Sequence, residues 1–224
     1  MQYPLLEVKV WSEFACFTRP EMKVERVSYP LMPPSAARGV LEAIFWKPEF
    51  SWQIREIWVL KPIRHFSILR NEVNNKMVVA TAKGWAHGGG GYFADKDRAQ
   101  RHTLALRNIA YIIKADIVLR PHANDDIAKY RDQFRRRVNG GQCHHTPYLG
   151  CREFSASFCP PDSNDQPIDY SDDLGRILFD LDYAEDKSGR GIPRFFSARL
   201  EKGILNVPPE LYRQGGITKC CCKD

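Results

Sequence analysis

No stretch of this 224-residue chain approaches the roughly 18 consecutive apolar residues that a membrane-crossing helix requires. The opening residues, MQYPLLEVKV, also lack the basic-then-apolar order of a secretory signal, so a soluble, cytoplasmic protein with no membrane partner is expected. No CxxC pair exists among the seven cysteines, and Cys16, Cys143, Cys151 and Cys159 are irregularly spaced. An odd count at irregular intervals fits reduced thiols better than a disulfide framework or a zinc site. Cys220, Cys221 and Cys222 stand together in a polar tail; a disordered end is the expectation there, a metal site the alternative, and no role is assigned to them. The GxxxxGK[ST] phosphate loop is missing as well. Gly88 to Gly91 are four glycines in a row, but no strand clearly feeds them into a helix, so they read as a flexible surface loop and not a nucleotide site. No internal repeat is visible at any useful period.

What the chain does have is a modest excess of positive charge, 33 Lys and Arg against 27 Asp and Glu, with a pI near 8.9. The excess is local: Arg98 to Arg152 is strongly basic, whereas Asp162 to Asp186 is acid-rich. An anionic partner docking on the middle of the chain follows.

The hydrophobic pattern divides into short elements. LLEVKVW, from Leu5 to Trp11, alternates like a half-buried strand, and a proline-bearing loop runs from Thr18 to Pro34. Ser35 is the expected N-cap of a helix carrying Ala37, Val40, Leu41, Ile44 and Phe45 inward and stopping at Pro48. Its Arg38 lies four residues before Glu42, the spacing of an exposed ion pair, with a ligand contact the competing use. Ser51 to Ile68, a polar turn over Asn71 to Lys76 and the apolar run Met77 to Thr81 read as a hairpin or meander. Leu104 to Leu119 is the clearest strand, with Ile109, Tyr111, Ile113, Ala115, Ile117 and Leu119 on one face and Lys114 and Asp116 together on the other. That pair is either a structural ion pair or a functional lysine beside an acid. A second helix, capped by Asn124 or Asp125, presents Ile127, Tyr130, Phe134 and Val138 to the core and ends at Asn139-Gly140-Gly141. Tyr148 to Phe158, Arg176 to Tyr183, Arg194 to Leu200 and Gly203 to Val207 are the remaining expected strands.

This order predicts an α+β fold, a split βαβ or ferredoxin-like (RAMP/RRM-like) domain over residues 1–158, a small antiparallel β extension over 159–213, and a tail over 214–224. The fold hosts many chemistries, so function has to be read from side chains. The richest stretch is Asp126 to Phe154, where Arg131, Arg135, Arg136 and Arg137 precede a glycine turn and then His144, His145 and Tyr148. Fixed cations beside groups that exchange protons near neutral pH suit a phosphate-rich ligand; a solvated helix followed by a structural turn is the competing reading.

Ser28-Tyr29-Pro30, ARGVLEAIFWKP from Ala37, KPI from Lys61, the strand ending in IKAD and GQCHHTPYLGCREF from Gly141 together resemble the CRISPR-associated RAMP-superfamily proteins of type I-C systems, the fifth Cas family in its RNA-cutting variant. The resemblance extends to about Pro209. It implies an endoribonuclease that cuts precursor CRISPR RNA in the repeat without a metal or other cofactor. The product's 5′ handle then stays bound, within an interference complex containing other subunits; duplex DNA is a further candidate partner. In-line attack by a ribose 2′-oxygen needs a base, an acid and a cation at the phosphorane oxygens. The resemblance carries the cation onto Lys114. It places Phe45 where a tyrosine is expected and Ala115-Asp116 where a histidine is expected, so His144 and Tyr29 become the candidate proton-transfer groups, with Tyr148 as a further one. Arg38, Phe45, Trp46, Lys47, Arg107, Arg135, Arg136, Arg137 and His145 are the candidate RNA contacts. The alternative reading is a non-catalytic subunit that caps the RNA handle.

Overall fold

The structure is a computed structural model that describes residues 3–22, 24–75, 77–183 and 191–213; the tail expected over 214–224, with its three cysteines, lies outside these. The first strand, β1 (Leu6–Ala15), buries Leu6, Val8 and Val10 and turns Glu7 and Lys9 to the opposite face, as the alternation predicts. After the two-residue strand β2 (Arg26–Val27), helix α1 (Pro34–Ile44) begins two residues earlier than predicted, with Pro33 as its N-cap. Ser35 is therefore inside the first turn. Proline lacks only an N–H that a first helical residue could not use, so Pro34 opens the helix directly.

Strand β3 (Phe50–Val59) and strand β4 (His65–Val73) do not form the expected hairpin. Both pair antiparallel with strand β5 (Arg98–Leu119), β3 with residues 111–119 and β4 with residues 98–106. They lie end to end along one edge of β5, bridged by Leu60 N–H donating to Ala110 O and Arg107 N–H donating to Arg64 O, both at 3.0 Å. β1 and β2 take the other edge. The Met77 to Thr81 run is no strand; it leads into helix α2 (Val79–Gly88), whose sequence VATAKGWAHG buries no residue. Gly88 ends that helix and Gly89 and Gly90 follow with φ of 72° and 134°. Together β4, α2 and the first half of β5 make an arm that buries few of its residues. Within β5, Asn108 has φ 52°, a left-handed conformation that asparagine tolerates, and its Oδ1 accepts a hydrogen bond from Lys61 Nζ at 2.6 Å.

Helix α3 (Ile127–Asn139) is capped by Asp126, one residue later than the nearer predicted cap, its Oδ1 accepting from Ala128 N–H at 2.7 Å. Tyr130, Phe134 and Val138 pack inward as predicted, and Gly141 supplies a φ of 62° just past the end. The expected strand over Tyr148 to Phe158 shrinks to a bridge between Tyr148 and Ser155 and a three-residue strand, β6 (Ser157–Cys159), beside β1. Three closing strands, β7 (Asp172–Tyr183), β8 (Gly191–Glu201) and β9 (Ile204–Asn206), match the predicted segments. β9 pairs with β3, so the closing strands extend the same sheet in the order β6-β1-β5-β3-β9-β8-β7. The result is a mixed α/β architecture on one largely antiparallel sheet, with α1 and α3 on the face that carries Val8, Ile54, Ile113 and Ala115.

One crossing is unusually tight. Gly150 has φ 84°, a Cβ there would sit 2.0 Å from Cys16 O, and Cys16 N–H donates to Leu149 O at 3.0 Å. Gly150→Ala combines a disallowed backbone with a clash against backbone, and we expect a loss of about 2 kcal/mol or more in urea unfolding. A midpoint unchanged from wild type would show that this crossing yields without cost.

Candidate nucleic-acid interface

Lys114 and Glu7 are direct partners in the β5–β1 register, and alternation directs both away from the helices. Lys114 Nζ lies 2.9 Å from Glu7 Oε1 and 3.7 Å from the centre of the Trp58 ring, whose Nε1 donates to Glu56 Oε2 at 2.8 Å. The ammonium thus rests on an indole face with one carboxylate beside it, a half-buried cation whose partner, Glu7, is itself exposed. The pairing of Lys114 with Asp116 does not form. Asp116 Oδ2 instead accepts from Arg55 Nε at 3.1 Å, because a bulge between Ile54 and Glu56 turns Arg55 toward it. Glu7 and Trp58 went unnoticed as Lys114's partners. The sequence marks Glu7 as outward-facing but does not state which residue of another strand lies opposite.

The arginines divide by burial. Arg131 is 1% exposed, donates to Pro4 O and stacks 5.1 Å from the Tyr3 ring, so it holds the N-terminal segment and offers no free charge. Arg137 donates to Ile44 O at 2.7 Å and lies 5.1 Å over the Phe45 ring; it satisfies a carbonyl that the end of α1 leaves without a helical donor. Arg38 binds Glu42 at 3.2 Å, the expected pair, and also Asp180 at 2.6 Å. Arg135 and Arg136 are exposed. Arg135 pairs with Asp132 at 3.2 Å and lines a groove of about 260 Å³ with Leu5, Leu6, Glu7, Val138, Asn139 and Pro160. Arg107 is exposed on β5, and Trp46 and Lys47 are half-buried after α1.

His144 and His145 are both exposed, and their backbone N–H groups donate to Ala43 O at 2.8 and 3.3 Å, which seats this segment on the end of α1. Their rings stand at 88° with centres 5.8 Å apart. Tyr148 is 37% exposed. Two sequence candidates are corrected by burial. Phe45 is 0% exposed and packs 5.3 Å from Phe50, so its ring fills the core and cannot stack on a base. Tyr29 is 1% exposed, and burial pushes its hydroxyl's pKa up, the wrong direction for a group that must exchange a proton with substrate. Among the described residues no three His, Cys, Asp or Glu side chains are grouped as metal ligands, and no helix is long and apolar enough to cross a membrane.

By class, then, this is a mixed α/β protein on an antiparallel sheet, and solved structures share that fold. A CRISPR-associated protein superposes with a TM-score of 0.66 at 18% identity, covering 94% of this chain and 96% of that one. A functionally uncharacterized protein of Streptococcus mutans, SMU1763c, superposes at 0.64 with 17% identity, covering 92% and 93%. The Cas5d family model, described as CRISPR-associated protein (Cas_Cas5), matches residues 5–208. The chain belongs to this Cas5 family, in its type I-C branch. It is 50% identical over 224 aligned residues to the CRISPR pre-crRNA endoribonuclease Cas5d of Thermus thermophilus, covering 93% of each. Identity to the CRISPR pre-crRNA endoribonuclease Cas5d of Mannheimia succiniciproducens is 41% over 217 residues, covering 91% of this chain and 95% of the relative.

The division among arginines is testable without RNA. Arg137→Ala should destabilise the fold by about 1–2 kcal/mol through the orphaned Ile44 carbonyl and lost packing. Arg136→Ala should stay within about 0.5 kcal/mol. Urea melts of the two variants check this, and equal effects would contradict the distinction.

Proposed function

We propose that this chain is a metal-independent endoribonuclease that cuts precursor CRISPR RNA within the repeat and stays on the 5′ handle as a subunit of a type I-C interference complex. The observation that carries the reading is Lys114, an ammonium held on the helix-free face of the sheet by Glu7 and Trp58, in a chain 50% identical to a named pre-crRNA endoribonuclease. A phosphate arriving there would replace Glu7 as the ammonium's counter-charge and draw the cation onto its developing negative oxygens. His144, an exposed imidazole seated on the end of α1, is the assigned proton-transfer group. Tyr29 has no part in this scheme. Arg135, Arg136, Arg107, His145, Lys47 and Trp46 are the assigned RNA contacts; the same cations would also accept the phosphates of duplex DNA, so duplex is included as a competitor in binding.

The strand order β6-β1-β5-β3, with α1 after β1 and α3 after β5, supports reading residues 1–158 as a ferredoxin-like domain. Residues 159–213 then form its small β extension, joined through β9 on β3. A second reading, a handle-binding subunit that does not cut, draws on Phe45 and Tyr29, which leave the core without a tyrosine hydroxyl positioned for substrate.

Incubation with the cognate repeat RNA in excess EDTA decides between them. Wild type should give product, Lys114→Ala should lower the single-turnover rate on the order of 10²-fold or more, and Tyr29→Phe should cut at the wild-type rate. Tight binding with no product from wild type supports the structural subunit and removes the enzyme. His144→Ala cutting normally would reassign the proton-transfer role. In the binding arm, Arg135→Ala with Arg136→Ala should reduce the salt slope by about 1–2, and an unchanged slope takes α3 off the RNA surface.

A further inference from the structure

The tight crossing at Gly150 brings two cysteines from distant parts of the chain into one small cluster. Cys16 is 0% and Cys151 7% exposed; Ala105 packs with them, and Phe66 and Phe154 lie against the cluster. Cys151 Sγ is 3.7 Å from Cys16 O, and Cys16 Sγ is 3.6 Å from Thr18 Oγ1. Arg26, delivered by β2, points its guanidinium at Cys151 Sγ at 3.3 Å and is itself steadied by Glu72 at 3.4 Å and Glu153 at 3.9 Å. A cation aimed at one thiol of a close pair is the arrangement that makes the first sulfur a nucleophile and the second its resolving partner. We propose that Cys16 and Cys151 form a redox-active dithiol, oxidised by peroxide to a disulfide and restored by small thiols.

The chemistry balances on these two residues and the named oxidant. The Cys151 thiolate attacks a peroxide oxygen; the S–O bond forms, the O–O bond breaks, and the leaving hydroxide takes a proton to become water. Sulfur loses two electrons to the peroxide and is left as a sulfenic acid. Cys16 Sγ then attacks that sulfur, the S–S bond forms, and the hydroxyl leaves with the Cys16 proton as a second water. Two equivalents of a small thiol reverse the disulfide by exchange. The asymmetry between the sulfurs fits these roles: the Cys16 contact and Arg26 hold the Cys151 thiol below the ordinary cysteine value, while its contact with Cys151 and its burial push the Cys16 thiol up. Cys143, exposed, and Cys159, half-buried, serve as internal controls.

The test treats the native full-length protein with hydrogen peroxide at neutral pH, blocks remaining thiols, and maps peptides by mass spectrometry without reduction. The expected product is a Cys16–Cys151 linked peptide, two hydrogens lighter than the separate pair, which dithiothreitol reverses. In Cys16→Ser, a dimedone probe should trap the Cys151 sulfenic acid. Arg26→Gln should slow formation of the linked peptide by about tenfold, through a smaller thiolate fraction. Oxidation confined to Cys143 or Cys159, or a link that forms only after denaturation, overturns the proposal. The wild-type measurement stands even if the Cys16 variant fails to fold. Arg26→Gln reacting at the wild-type rate would remove the arginine from the mechanism.

Discussion

Backbone pairing along both edges of β5 is the constraint on which the rest of the molecule depends. One edge takes β1 and β2, the other β3 and then β4, so this 22-residue strand satisfies its peptide groups on both sides over most of its length. Its inner half, residues 109 to 117, alternates buried apolar groups against α1 and α3. Its outer half carries polar residues into an arm with little apolar cover. The core therefore gathers at one end, and the two helices have only one face on which to settle.

Packing also sorts the charges. Cations the fold consumes, Arg131 on Pro4, Arg137 on the end of α1 and Arg38 between two carboxylates, sit where an orphan carbonyl or a buried acid needs them. Cations it leaves outside, Arg135, Arg136 and Arg107, remain in solvent, where binding an anion displaces little. Lys114 is intermediate. It is neutralised, but by an exposed acid on a neighbouring strand rather than by a buried one. An ion pair of that kind is weak enough in water to exchange partners.

Periodicity made the individual elements legible: β1, β5, α1, α3 and the three closing strands lie where alternation or helical spacing put them. Pairing was not legible. Ser51 to Ile68 reads as two neighbouring strands, yet nothing local says that both prefer β5 to one another. The run Met77 to Thr81 is apolar and carries β-branched Val78, Val79 and Thr81, yet it enters a helix that buries none of its residues. Burial was the other blind spot. Phe45 and Tyr29 carry the chemistry of ligands and the volume of core residues, and only packing against Phe50 and beneath β7 decides between the two. Glu7 shows the same limit from the other side, since its importance comes wholly from facing Lys114.

Asn108 interrupts β5 between the arm and the body, and Lys61 grips its side chain. Mechanically this is an elbow with a latch. The forearm, from β4 to residue 107, and the upper segment that bears Lys114 are one continuous strand, so a load on the tip does not dissipate in a slack linker. It reaches the lysine six residues past the joint through covalent bonds, while Phe14 against Phe66 and Arg70 against Glu153 brace the arm from the side.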